Sequence, residues 1–139
     1  MSALVRFTAD HLARLDVKDD ARDAAANPNM VPALEKYGHT LLLADGRPLA
    51  VIGAVPLLPG VCEVFVLASK LQERFPLAFA RPVKRLIFTL RKEYRRIQAV
   101  SKADEFHYRW LSWLGFRAEG ILSKYGLNGE DMIMWGLTE

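Results

Sequence analysis

The chain has 139 residues, 51% of them hydrophobic and 25% charged, with one cysteine and a formal net charge of +3. That length supports a single domain, residues 1–139, with a sizeable core. It excludes an internal disulfide, because Cys62 has no second cysteine, and a membrane-crossing helix, because no apolar run approaches about 20 residues. The opening M-S-A-L-V-R-F-T-A-D lacks a signal-peptide core, so the reducing cytoplasm is the expected location.

Residues 3–7 predict a first strand, Thr8 an N-cap and Asp10–Leu15 a short helix. Asp19–Ala26 predicts a second, alanine-rich helical piece, broken by Asn27-Pro28-Asn29. Val31–Tyr37 predicts a third, ended by Gly38. In T-L-L-L-A-D-G-R-P-L-A-V-I-G-A-V-P-L two apolar runs flank Asp45-Gly46, a strong hairpin signal. Pro59-Gly60 marks another turn, and V-C-E-V-F-V-L-A at 61–68 is the next strand, with Glu63 its only charge.

Pro76 suits the first turn of a long helix over 76–94, where its missing N–H costs nothing. Its apolar stripe is Leu77, Ala80, Val83, Ile87, Leu90 and Tyr94, with Arg81, Lys84, Arg85 and Lys92 off the stripe. Ile97, Ala99 and Val100 predict a buried strand at 96–101. Asp104 caps a helix over 104–114, in which Phe106, Trp110, Trp113 and Leu114 fall at i, i+4, i+7, i+8, the expected core face. Gly115 stops that helix. Ala118–Leu127 and Met132–Leu137 read as strands around an Asn128-Gly129 turn.

The order β-α-α-β-β-β-α-β-α-β-β, and above all R-I-Q-A-V-S-K-A-D-E-F-H-Y-R-W-L-S-W-L-G-F at 96–116, resembles the GNAT N-acetyltransferase superfamily. The fold class implied is α/β: a mixed, mostly antiparallel sheet of about seven strands with flanking helices. It is splayed between parallel strands at 61–68 and 96–101. The cofactor implied is acetyl-coenzyme A, its pyrophosphate held by a Q/R-x-x-G-x-G/A loop at the start of the central helix. There, converging backbone N–H groups and the helix dipole meet an anion. The matching positions are Gln72-Glu73-Arg74-Phe75-Pro76-Leu77, so Phe75 and Leu77 replace both glycines and Pro76 removes an N–H. Leu67, Gln72, Arg74, Phe75 and Leu77 are the candidate cofactor positions, with Phe75 and Leu77 expected to narrow or fill the groove.

The tyrosine that serves many GNAT enzymes as general acid corresponds to Leu111, which cannot donate a proton. Tyr108, nearly one turn earlier, is the candidate substitute, with packing as its alternative role. Some GNAT enzymes use a glutamate on the strand that carries Glu63 as base. Here Glu63 is either that base or an outward carboxylate paired with a lysine or arginine. F-P-L-A-F-A-R-P-V together with W-L-S-W-L-G-F resembles the divergent GNAT-like proteins of tailed bacteriophages, some of them internal virion proteins.

Three functions follow. The first is a non-catalytic phage-type component of virion or host interaction; the second is an N-acetyltransferase with an atypical cofactor loop. The third is binding of an anionic partner or nucleic acid through a basic helix. Between Lys70 and Arg96 nine Lys/Arg face only Glu73 and Glu93, a local +7 against −4 elsewhere. Arg81, Lys84, Arg85 and Lys92 are the candidate anion contacts, with a solvated face as the alternative. His11, His39 and His107 are too scattered to predict a metal site.

Overall fold

The computed structural model describes residues 2–16 and 28–138. The elements are β1 (Ser2–Arg6), α1 (Ala9–Arg14), α2 (Met30–Tyr37), β2 (Gly38–Leu43), β3 (Pro48–Leu58) and β4 (Val61–Ala68). A 3-10 turn (Lys70–Glu73) then leads to α3 (Pro76–Glu93), β5 (Arg96–Lys102), α4 (Glu105–Leu114), β6 (Arg117–Leu122) and β7 (Met132–Leu137). The helical piece expected at Asp19–Ala26 lies outside the described residues. The strands form one seven-stranded sheet in the order β1-β2-β3-β4-β5-β7-β6. β4 and β5 are parallel, joined through α3 as the crossover that parallel strands require, and their ladder pairs Val61–Glu63 with Arg96–Gln98. Both hairpin glycines expected in the first half take positive φ, Gly46 at 87° and Gly60 at 83°.

The described residues pack as two compact units, one from those up to 55 together with 65–86, the other from 56–64 together with 87–138. In the first, Phe7, Leu15, Leu34, Val51 and Leu67 form a buried cluster, with Leu12, Met30 and Phe65 packed against it. This unit also holds the first part of α3, including Pro82. A proline inside a helix cannot bond the carbonyl four residues back, here Ala78. The Ser2 hydroxyl supplies the missing donor, 2.7 Å from the Ala78 oxygen. The stripe expected to begin at Leu77 begins instead at Phe79, which is buried while Leu77 is 60% exposed. Phe79, Val83, Ile87 and Leu90 carry the apolar spacing from there.

In the second unit Asp104 caps α4 as expected, accepting the His107 N–H at 2.8 Å. Gly115 ends α4 at φ 104°, a conformation that glycine adopts without the penalty a Cβ would bring. The core face of α4, however, differs from expectation. Leu111 and Leu114 are buried, whereas Phe106 is 47% and Trp113 48% exposed. Trp110 stacks on Trp113 with centroids 5.6 Å apart. Helical spacing marks two apolar stripes on this helix, and the one ending in Leu114 and the buried Phe116 is the one that packs. β6 also stops earlier than Leu127. Lys124 turns the chain with φ 55°, its N–H held by Asp131 at 2.9 Å, so a loop rather than a two-residue turn joins β6 to β7.

Candidate functional site

At the start of α3, Ser69 caps the 3-10 turn that occupies the place of a glycine loop. Its hydroxyl accepts the Leu71 N–H at 3.0 Å, and the Gln72 N–H donates to its carbonyl at 3.1 Å. The Arg74 and Phe75 N–H groups both donate to the Leu71 carbonyl, at 2.9 and 3.2 Å. These amides are therefore turned into the loop, not out toward a ligand. The first bond of α3 runs from the Phe79 N–H to the Phe75 carbonyl at 3.1 Å, which leaves the Leu77 and Ala78 amides outside the helical ladder. The first turn of α3 has no acidic residue. Phe75 is half-buried between two guanidinium groups, Arg47 at 5.6 Å and Arg74 at 5.9 Å from its ring centroid. Arg47 is in turn paired with Asp45 at 2.8 Å, and the hydrogen bond from the Arg47 backbone N–H is the largest cause holding the Asp45 carboxyl below its usual range.

Of the positions expected to meet a cofactor, Gln72 is buried in this turn and Leu67 is buried in the core cluster. Phe75 and Arg74 come together there. Leu77 does not join them, since its side chain turns to solvent. Arg81, Lys84, Arg85 and Lys92 are all exposed, Lys92 over the Phe88 ring at 4.9 Å.

Glu63, on β4, belongs to a polar row that the sequence did not announce. The Gln98 side-chain amide donates to its Oε1 at 2.9 Å. Gln98 Oε1 accepts from Arg96 Nε at 3.1 Å. Arg96 then grips Glu119 with both terminal nitrogens, at 2.9 and 2.6 Å. The partner of Glu63 is thus an amide and not the lysine or arginine that was the alternative to a base. Two-point hydrogen bonding from Arg96 is the main cause that lowers the Glu119 carboxyl from its ordinary value, and the same bonds raise Arg96.

Strand alternation decides the company this row keeps. Gln98 faces Gly136 across β5–β7, while Ala99 faces Trp135, so the row and Trp135 lie on opposite faces of the sheet. Tyr108 meets Trp135 edge-on at 5.1 Å and is 43% exposed. Glu63 and Tyr108 are therefore not brought together. Leu111, at the position of the acid tyrosine, is buried. Asp104 is pushed up by desolvation, but the His107 N–H, the His107 ring and Lys102 outweigh that and hold it low. Cys62 is fully buried, and burial, with Glu93 nearby, pushes its thiol up to about 11, which suits a packed side chain and not a nucleophile.

No protein-family model and no curated protein matches the sequence. Solved structures match it across nearly the whole of both chains. An acetyltransferase of the GNAT family from Bacillus anthracis aligns with a TM-score of 0.73 at 12% identity, covering 99% of this chain and 94% of that one. An IAA acetyltransferase from Bacillus cereus gives 0.76 at 9% identity over 100% of each chain. The ribosomal-protein-S18-alanine N-acetyltransferase from Escherichia coli gives 0.72 at 16% identity, covering 99% and 93%. The fold is the GNAT fold. The α3 start is the candidate cofactor position of the sequence reading, and Glu63 its candidate base. Arg47, Arg96, Gln98, Glu119 and Gly136 are additions from the structure. The only sequence trace of the row is Arg96-x-Gln98, whose spacing puts both on one face of a strand.

Proposed function

We propose that this chain is a GNAT-type N-acyltransferase that moves an acyl group from coenzyme A to an amine, with Glu63 as the base. The observation that carries this reading is the Glu63 carboxylate held at one oxygen by Gln98, on the strand where some GNAT enzymes carry such a glutamate. Acetyl-coenzyme A supplies the thioester. The start of α3 fits its anionic part in charge: the Leu77 and Ala78 amides, the helix dipole, Arg74 and Arg47 all favour a phosphate group there. It departs from the glycine-loop design in that the amides of residues 71, 72, 74 and 75 are engaged within the turn. Arginine side chains take over part of what backbone amides do elsewhere. Glu63 accepts the proton that the attacking amine loses. Leu111 supplies no acid, and a thiol of pKa about 8.5 leaves tolerably as thiolate near neutral pH.

The inward-turned amides favour a second reading, a GNAT-fold component without catalysis, of the kind the tailed-phage resemblance implies. Calorimetry with acetyl-coenzyme A and free coenzyme A, and thiol release with a panel of primary amines, separate the two. The enzyme reading expects binding of both coenzymes and thiol release with at least one amine. Glu63→Gln should cut turnover by about 100-fold or more while coenzyme binding persists. A parent protein that binds neither coenzyme and releases no thiol would sink this reading in favour of the second.

A further inference from the structure

The row that ends at Glu63 begins at Glu119, two strands beyond Gln98, and it is built at every position. Glu119 sits where the β6–β7 register slips between Ala118 and Gly120, a bulge on the terminal strand of the sheet. Bulges of this kind re-aim a side chain. Gly136 lies on β7 directly between Gln98 of β5 and Arg117 of β6. It is buried, and a Cβ built there would run into Glu119 Oε2 and Arg96 Nη1. The Arg96–Glu119 pair therefore lies across β7 over Gly136, where a Cβ would push the ends of both side chains aside.

The donor inventory then fixes the orientation of Gln98. Arg96 has only N–H donors, so Gln98 must turn its carbonyl oxygen toward it. That leaves the amide nitrogen for Glu63, which as a carboxylate only accepts. Neither Gln98 neighbour tolerates the flipped amide. The two-point grip of Glu119 holds the guanidinium plane from which Nε reaches Gln98, so the orientation of one carboxylate is passed through a planar cation and a planar amide to another. The row uses Glu63 Oε1 and makes no use of Oε2.

We propose that Glu119 and Gly136 are positioning residues for Glu63, acting through Arg96 and Gln98. This inference rests on the reading of Glu63 as the base, and its test does not need turnover. The probe is the Gln98 side-chain amide itself, followed by nitrogen relaxation in the intact protein. In the parent its order should approach that of the rigid backbone, about 0.85 on the order-parameter scale. In Glu119→Gln and in Gly136→Ala, both of which keep Gln98 and Glu63, it should fall toward the range below about 0.6 that marks flexible groups. Arg96→Lys keeps the charge but loses the fork, and should free the amide as well. A merely structural ion pair would change stability and leave the Gln98 amide as ordered as before.

An amide that stays rigid in Glu119→Gln and Gly136→Ala overturns the proposal, as does one that is already mobile in the parent. Should thiol release be measurable, the same two variants should lower kcat several-fold with little change in KM for acetyl-coenzyme A. Unchanged kcat with a loosened amide would also overturn it. A parent that shows no transfer but an ordered amide that loosens in these variants would leave the row as proposed and remove the catalytic reading of Glu63 alone.

Discussion

The start of α3 and the row from Glu63 to Glu119 both concentrate charge, and they hold it by opposite means. At α3 the positive charge sits on arginines that lean on one aromatic ring, Arg47 and Arg74 against Phe75, while the loop amides are spent internally. In the row Glu119 is gripped at two points, Arg96 is held between two partners and Glu63 is met at one oxygen, across strands that fix the spacing. Charge delivered by long exposed side chains can be altered with little cost to the fold, and it tunes what binds. Charge locked into a sheet can be altered only by disturbing geometry. Substitutions should therefore separate into binding effects at one place and structural effects at the other.

The largest effect is expected at Gly136. Gly136→Ala inserts a methyl group under the Arg96–Glu119 pair, so both side-chain ends must shift and their charge-assisted hydrogen bonds weaken, at a cost of about 1–3 kcal/mol. Urea unfolding measures it. A change within error would mean that the pair swings aside freely, and the contrast drawn above would lose its stronger half. Arg96→Ala comes next, at about 1–2 kcal/mol, because Gln98 and Glu119 both lose their partner but keep partial access to water.

How much of this was open to sequence reasoning differs between the two places for physical reasons. The α3 start is local. Gln72 to Leu77 are contiguous, and the loss of both loop glycines is visible in six letters. What the letters do not give is where the side chains go. Leu77 was expected in the groove or on the core stripe, and Phe79 took the core position instead. The order of elements was legible because turn and cap residues act locally, as Gly46, Gly60, Asp104 and Gly115 do. The face of α4 was not, since Phe106, Trp110 and Trp113 repeat with the same period as the stripe that packs, and periodicity does not say which stripe is covered. The row is non-local: Arg96 and Glu119 are 23 residues apart, and Glu63 and Gln98 35 apart. Pairing at such separations depends on register and on a bulge, neither of which leaves a mark in composition.

A smaller effect tests the backbone under the α3 start. Ser2→Ala removes the donor that satisfies the Ala78 carbonyl left open by Pro82, and should cost about 1 kcal/mol. Restoring the helical donor with Pro82→Ala in the same chain should erase most of that penalty, and equal losses in both backgrounds would show the bond to be incidental. Arg47→Ala and Arg74→Ala should each change stability by less than about 1 kcal/mol, since exposed cation–π contacts are worth little. Each should nevertheless weaken coenzyme A binding several-fold in calorimetry. Intact affinity in the double variant would remove the arginines from the proposed cofactor contacts.

The smallest effect carries a defined sign. The Arg96 fork, mainly through its hydrogen bonds and least through its charge, holds the Glu119 carboxyl below its ordinary value of 4.5 in the folded chain, against an opposing push from desolvation that exceeds the charge effect. A depressed folded value means that the ionised carboxylate favours folding. Its contribution is complete at neutral pH and is lost as pH falls below the unfolded value and through the lower folded one. Comparison of the parent with Glu119→Gln should therefore give a Tm difference that is constant from about pH 7 to 5 and shrinks below about pH 4.5. The difference should be modest throughout, because the Glu119 side chain is 39% exposed and water screens the pair. Added salt should shrink it further but not abolish it, since two directed hydrogen bonds remain when the long-range charge term is screened. A difference that grows as the pH falls would mean that Glu119 is held in its protonated form, and the fork could not then be what aligns Arg96 with Gln98.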